Sequence, residues 1–277
     1  PTATAHAPPL PAPPPHRLAD HPTLQPGQCR SVSATCKAAH SLCSSPQVLA
    51  DWLQQQRPST ALYDAIDHVT NEIPRSLEIL HALLDRPSMV AASAPQNQEG
   101  FPLLLCACKQ LRCPLAVRKL LAAGVDPNAA TWSGLTPLMV ASGQGDVPVV
   151  MELLRSERID VGMACNALGF TALHDAAKHG HTHVARLLLQ AGAPVNTCDD
   201  SGQSPFHTAA MYEHPDVVRE LLCSGACTTL RDEDGATALD IARNCSCDEI
   251  MALIEQHARR SQRVCITCDG LLSLPSW

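Results

Sequence analysis

Apolar positions along the chain fall into short paired blocks separated by polar or glycine-containing intervals. The first kind of block is Thr60-Ala61-Leu62-Tyr63-Asp64-Ala65, Phe101-Pro102-Leu103-Leu104-Leu105-Cys106, Thr136-Pro137-Leu138-Met139-Val140-Ala141, Thr171-Ala172-Leu173-His174-Asp175-Ala176, Ser204-Pro205-Phe206-His207-Thr208-Ala209 and Thr237-Ala238-Leu239-Asp240-Ile241-Ala242. These copies start at 60, 101, 136, 171, 204 and 237, with spacings of 41, 35, 35, 33 and 33. Each leads to a second block: Leu83-Leu84, Leu120-Leu121, Leu153-Leu154, Leu188-Leu189, Leu221-Leu222 and Leu253-Ile254. A polar turn such as Gly180-His181-Thr182-His183 separates the two, and a glycine-containing exit such as Ala191-Gly192-Ala193-Pro194-Val195-Asn196 follows. Glycine at such an exit supplies the left-handed residue that closes a helix. The pattern predicts two short antiparallel helices per repeat, joined to the next by a turn at Gly134, Gly169, Gly202 or Gly235. A unit this small cannot bury its own apolar face, so consecutive units must stack into a solenoid. Ahead of the first copy, Pro46–Gln55 reads as a helix with Val48, Leu49 and Trp52 on one face.

The copies resemble the ankyrin repeat. That family's Thr-Pro-Leu-His-x-Ala opening, Gly-His turn, Leu-Leu helix, Gly-Ala-Asp and Val-Asn exit and Asp-x-x-Gly tip are matched best by residues 171–202. The resemblance covers residues 59–258 in six copies. It implies an all-α solenoid of stacked helix-turn-helix units with short hairpin tips. Residues 1–44 are expected to be a Pro-rich disordered tail, 45–58 a leading helix and 259–277 a C-terminal tail outside the solenoid. The copies depart from the pattern in places. The first carries extra residues around Val69–Pro74 and a long exit, Asp85–Gly100. The second has Phe101 and Cys106 where the family has Thr and Ala, and the third has a longer exit within Arg155–Met163. The last has Asp240 where its neighbours have His and reads as a cap.

Charge and composition narrow the partner. The chain of 277 residues carries a net charge of −7, with +2 in residues 1–58, +2 in 259–277 and −11 in 59–258. An acidic middle argues against nucleic acid, which needs clustered Lys and Arg, and favours a protein partner with a basic or apolar segment. Aromatic residues make up 3%. The core therefore falls to Leu, Ala, Val and Cys, and a large β-sandwich is disfavoured. The 14 cysteines are scattered through helical-looking stretches. They are read as reduced, mostly buried residues of a cytoplasmic or nuclear protein. The apolar runs fall short of the roughly 20 residues a spanning helix needs, so no membrane is expected. No signal-like segment is seen, and the opening at Pro1 reads as the start of a fragment. Residues 1–28 hold nine prolines. There Pro8-Pro9-Leu10-Pro11 suits a proline-reading groove, although an uncommitted linker is the plainer reading.

No catalytic motif is found: no Gly-x-Ser-x-Gly, no phosphate-cradling Gly-Lys-Ser/Thr loop and no His-Glu-x-x-His. The expectation is a non-enzyme with no cofactor. Thr171 with His174, and Ser204 with His207, are placed to cap helices. The alternative, a metal held by His174, His179, His181 and His183, is opposed by the turn at Gly180, which breaks the helix that would align the rings. Function is then carried by surface.

In the family, tips and first helices line one concave face. The resemblance places Trp132, Ser133, Leu168, Asp200, Ser201, Glu233 and Asp234 at tips, and Gln144, His179 and Tyr212 on first helices facing the partner. The expected arrangement for this monomer is a partner's apolar anchor near Trp132 and Leu168, with basic residues near Asp200, Glu233 and Asp234. The alternative is that Trp132 folds onto its own loop. Asn128 and Asn196 look like the sites that asparagine hydroxylases modify in such repeats; the alternative is that each bonds its own turn. Cys265 and Cys268 have Cys-x2-Cys spacing, half of a zinc site, with Cys245 and Cys247 as distant candidates to close it. The stretch faintly resembles the opening of a RING-type finger. That would make the chain the substrate-recognition arm of a ubiquitin ligase; a chance pair is the plainer reading. A further alternative is an inhibitor masking the basic segment of a transcription factor. The favoured reading is an adaptor or scaffold.

Overall fold

The computed structural model describes residues 50, 51, 59, 61–70, 76–86, 96, 100–165 and 168–269. The Pro-rich stretch and nearly all of the expected leading helix lie outside them; Ala50 and Asp51 are helical. Among the described residues are twelve α-helices, and the only β pairing is two isolated bridges, Gln96–Pro102 and Ala164–Thr171. The helices come as six successive pairs: α1 (Ala61–Thr70) with α2 (Ser76–Leu84), α3 (Leu103–Cys106) with α4 (Pro114–Ala122), α5 (Pro137–Gly143) with α6 (Val147–Leu154), α7 (Ala172–Lys178) with α8 (Thr182–Gln190), α9 (Pro205–Met211) with α10 (Pro215–Cys223) and α11 (Ala238–Asn244) with α12 (Asp248–Asp269). First helices pack on first helices and second helices on second, giving two layers. The buried apolar residues form one continuous cluster, with Leu138 and Leu153, Leu173 and Leu188, then Phe206 and Leu221 supplied by successive pairs.

Capping fixes where the first helices start. The Thr136 hydroxyl accepts from the Met139 N–H at 3.2 Å. Thr171 with His174, Ser204 with His207 and Thr237 with Asp240 form reciprocal capping boxes. The two histidines do more than cap. His174 Nδ1 accepts the Thr171 N–H at 3.1 Å, and its Nε2 donates to the Gln203 carbonyl at 3.0 Å, at the next repeat's tip. His207 repeats this with Ser204 at 3.2 Å and the Leu230 carbonyl at 3.1 Å. Each buried ring is thereby satisfied at both nitrogens and ties one repeat to the following one.

A second set of histidines reaches backwards. His181 Nε2 donates to the Gly143 carbonyl, and His214 Nε2 to the Lys178 carbonyl, both at 3.1 Å. These rings lie directly against the preceding turn. Gly180 has φ +71°, and a Cβ there would sit 2.6 Å from His214 Nδ1. Only glycine combines that left-handed backbone with that approach.

The structure departs from the expected pattern in three places. In the second repeat Phe101 cannot cap, and the helix begins after Pro102 without a side-chain bond. It then widens into a π-type turn over Ala107–Leu111 and stops at Arg112, with φ 48°. At the other end α12 runs on past the repeats to Asp269, so the first part of the expected C-terminal tail is helical. The cysteines are less buried than expected: among those described, Cys106 and Cys108 are buried whereas Cys198 and Cys223 are exposed.

The turn geometry gives a comparison of two glycines. Gly124 has φ +90° with nothing within 4 Å of a built Cβ. Alanine at either Gly124 or Gly180 incurs the left-handed strain of about 1–2 kcal/mol. Only Gly180→Ala also displaces the His214 ring and its bond to Lys178. Urea denaturation should find Gly180→Ala less stable than Gly124→Ala by at least about 1 kcal/mol.

Candidate functional site

The tips are turns closed by their own backbones. Thr131 N–H donates to the Leu135 carbonyl at 3.0 Å, Asp199 N–H to Gln203 at 2.9 Å and Asp232 N–H to Ala236 at 3.0 Å. Neighbouring tips are also joined to one another. The Cys165 thiol donates to the Ser133 carbonyl at 3.0 Å. Asp200 N–H donates to the Leu168 carbonyl at 3.2 Å, and Glu233 N–H to Ser201 at 3.1 Å. A Cβ at Gly169, where φ is +69°, would stand 2.9 Å from the Asp200 nitrogen, so glycine is what lets these two tips meet. Trp132, Ser133, Leu168, Asp200, Ser201, Glu233 and Asp234 are thus strung along one edge.

The side chains on that edge differ in availability. Trp132 is 86% exposed and Leu168 55% exposed, so the indole stands in solvent rather than on its own loop. Asp199 and Asp232 turn their carboxylates inward to accept the Gln203 and Ala236 N–H groups, each at 2.8 Å. Asp200, Glu233 and Asp234 are exposed and make no ion pair among the described residues. The outward charge of the edge is therefore carried by these three carboxylates.

The first helices start at this edge, capped by Thr136, Thr171 and Ser204, and end at Gln144, His179 and Tyr212. His179 is exposed, with Nδ1 donating to the Asp175 carbonyl at 2.9 Å. Tyr212 is exposed, with Lys178 Nζ 5.7 Å from its ring centre. Gln144 is half-buried and acts mainly as a strut: its Nε2 donates to the Lys109 carbonyl at 3.0 Å. Asp175, which sequence reasoning did not select, lies in the same layer. Burial raises its carboxyl to about 6, against a smaller opposing effect of His179 and Lys178.

The remaining candidates have structural occupations. Asn128 donates to the Arg158 carbonyl at 2.7 Å and accepts the Asp160 N–H at 2.8 Å. Asn196 accepts the Cys227 N–H at 2.8 Å. Both amides thus bridge successive exits rather than bonding their own turn. His174 is buried and its burial holds the imidazole below the usual range. Among the described residues no group of three or more His, Cys, Asp or Glu is placed to hold a metal. Cys265 and Cys268 fall on the helical backbone of α12. Sequence reasoning also missed a ladder on the second helices: Arg118 to Glu152 at 2.9 Å and Arg186 to Glu220 at 3.1 Å, each pair 34 residues apart. The repeat spacing contains that signal, since a basic residue and an acid recur one repeat apart.

A family model described as ankyrin repeats (3 copies) matches residues 103–199 and 191–262, more than half of the chain. The chain belongs to the ankyrin-repeat family. The first helix pair, α1 and α2, precedes the matched residues. Among curated proteins, the SMC5-SMC6 complex localization factor protein 1 of Homo sapiens is 34% identical over 99 residues, which is 36% of this chain and 9% of that protein. Cortactin-binding protein 2 of Dasypus novemcinctus is 33% identical over 124 residues, 45% of this chain and 7% of that protein. Its counterpart in Mus musculus is 38% identical over 88 residues, 26% and 5% respectively. The chain spans less than a tenth of the length of these relatives. The ankyrin family is a protein-interaction module, and no helix among the described residues is long and apolar enough to cross a membrane.

The raised carboxyl of Asp175 makes stability depend on pH. Its folded value, about 6, lies above the ordinary 3.8. The folded state therefore takes up a proton more readily than the unfolded chain, and stability is lost as pH rises from about 4 through 6. The gap corresponds to at most about 3 kcal/mol, less for the part that water still reaches. Asp175→Asn should raise stability in urea at pH 7.5 and give no gain near pH 4. An equal effect at both pH values would contradict the buried-carboxyl reading.

Proposed function

We propose that this chain is a non-enzymatic adaptor, acting in the cytoplasm or nucleus, that holds a protein partner on the concave face formed by its tips and first helices. The observation that carries the reading is the adjacency of Trp132 and Leu168, two large apolar side chains standing in solvent, to the uncompensated acids Asp200, Glu233 and Asp234. Large exposed apolar groups beside unpaired charge are what an interface anchor with a polar rim requires. The partner supplies an apolar anchor for the two tips and basic residues for the three carboxylates. The face is built on rigid helices, so little conformational freedom is lost on binding. Relatives named for binding cortactin and for localising an SMC5-SMC6 complex use names drawn from protein partners, which supports an interaction role.

Proximity labelling with the full chain, wild type against Trp132→Ala with Leu168→Ala, tests this face. Both residues are exposed, so the double variant should keep its urea midpoint while losing most labelled partners. Partner affinity should fall by at least about tenfold, the loss expected when an apolar anchor is truncated. An unchanged partner set would reject the face. Charge dominance is tested in the same assay: affinity carried mainly by the acids weakens steeply with salt, whereas affinity carried by the apolar tips does not.

A further inference from the structure

The second helices form a layer of their own, and each presents one stripe of residues to solvent. On α4 the exposed stripe is Leu115, Arg118 and Ala122; on α6 it is Pro148, Met151 and Arg155. Both have the three- and four-residue steps that keep side chains on one helix face. Leu120 and Leu153 are equivalent, so the repeat sets Leu115 beside Pro148 and Arg118 beside Met151. The Arg118 side chain shows that the stripes adjoin, because it crosses from α4 to Glu152 on α6. Leu115 is 43% exposed and Met151 42%. With the exposed Pro148 they place three apolar side chains together in solvent. At the same positions the next two repeats have His183 and Asp216, then Arg186 and Arg219.

The charge beside this patch does not cancel. Arg118 holds Glu152 with two N–H groups, Nε to Oε2 at 2.9 Å and Nη2 to Oε1 at 2.6 Å. Arg155 Nη1 donates to the same Oε1 at 2.5 Å. The Glu152 side chain is only 8% exposed, whereas both arginines are 59% exposed. The Arg118 bond, and then the charges of both arginines, hold the Glu152 carboxyl below its ordinary range. Two cations thus share one covered anion, and one positive charge is left facing outward. The neighbours do not remove it. Lys119 pairs with Asp85 and Arg112 with Asp146, one to one, while Glu157 and Arg158 at the exit carry opposite charges. Further along the layer the surplus is gone: Arg186 has Glu220, and Arg219 stands between Asp216 and Glu249. The surplus cation and the exposed apolar side chains therefore occur on the same two helices, within a repeat region that is acidic overall.

Folding draws little from this arrangement. One arginine already neutralises Glu152, and a second exposed one adds little stability. A guanidinium has five N–H donors. Arg118 gives two of them to Glu152 and Arg155 gives one, so both keep donors for a further acceptor.

We infer that the outer face of α4 and α6 is a second docking surface, one that takes an acidic segment of another protein. A carboxylate of that segment meets Arg118 and Arg155, and an apolar side chain next to it packs on Leu115, Pro148 and Met151. The shared Glu152 fixes both guanidinium groups before binding, so little freedom of these long side chains is lost when the carboxylate arrives. Large exposed apolar groups beside the charge supply the anchor. A basic segment is repelled. This surface belongs to the other helix layer and does not rest on the concave-face reading. The two faces select opposite charges, so one chain can hold two different partners at once.

The test uses the full chain and a fully randomised library of 12-residue peptides, selected at pH 7.5 and low salt and sequenced. Wild type should enrich peptides with Asp or Glu beside a large apolar residue. Such a peptide should bind Arg155→Ala about tenfold more weakly than wild type, and Leu115→Ala with Met151→Ala likewise. The loss in Arg155→Ala should shrink as salt is raised. Arg155→Ala leaves Arg118 on Glu152, and the three substituted residues are exposed, so urea midpoints should stay at the wild-type value. Arg186→Ala removes a cation of the same layer from a one-to-one pair and should leave the affinity unchanged. Acidic peptides indifferent to Arg155→Ala, equal losses in Arg155→Ala and Arg186→Ala, or no enriched acidic peptide would each overturn the surface. A concentration-dependent dimer in sedimentation, dissolved by Leu115→Ala with Met151→Ala, would give the patch to a second copy of this chain and overturn the acidic-segment reading. Trp132 and Leu168 are intact in all these variants, so the concave-face reading stands or falls by its own experiment.

Discussion

No helix pair in this chain can close a core by itself. A first helix of seven residues and a second of about nine bury one face against each other and leave the flanks open, and the neighbouring pairs cover those flanks. The polar half of the same constraint is carried by histidine. His174 and His207 start their own helices with one nitrogen and hold the next repeat with the other, while His181 and His214 reach back to the preceding turn. Apolar stacking alone tolerates sliding; these bonds allow one register. The spacing of the tips along the concave face inherits that register.

The rigid layer separates stability from recognition. Side chains between the layers are buried aliphatics, and their positions leave nothing for a partner to read. Side chains beyond the layer differ from repeat to repeat: Trp132 and Leu168 at two tips, acids at the next two, and Asp175 at a helix position occupied by Asp64, Leu105, Val140, Thr208 and Ile241 in the other copies. The half-buried Asp175 carboxylate weakens the fold at neutral pH. The relatives match 36% and 45% of this chain within 9% and 7% of their own lengths.

Much of the fold was legible because it is written twice, once in each block and again one repeat later. Thr171 three residues before His174, and Ser204 before His207, announce helix starts by local chemistry, and the structure forms both boxes. The second repeat was less legible because Phe101 removes the cap and the π-type turn absorbs extra residues that the spacing alone assigns to no element. The helical continuation of α12 to Asp269 was not legible, because the repeat pattern stops at 258 and gives no signal beyond it. Exposure of Trp132 follows from tip geometry, which periodicity indicates. The burial of Asp175 does not, because it is set by helices 35 residues before and 33 after, and an acid on a short helix reads as solvated until those neighbours are in place.

The dependence of each repeat on the next is tested most directly at His174. The substitution His174→Ala removes the bond to the Gln203 carbonyl without touching any residue of the following repeat. Amide hydrogen exchange on the full chain should then show reduced protection in α7, in the tip at residues 199–203 and in α9 together, with a loss of about 2–3 kcal/mol for the two buried bonds broken. Loss of protection confined to the first turn of α7, with α9 unchanged, would contradict the account.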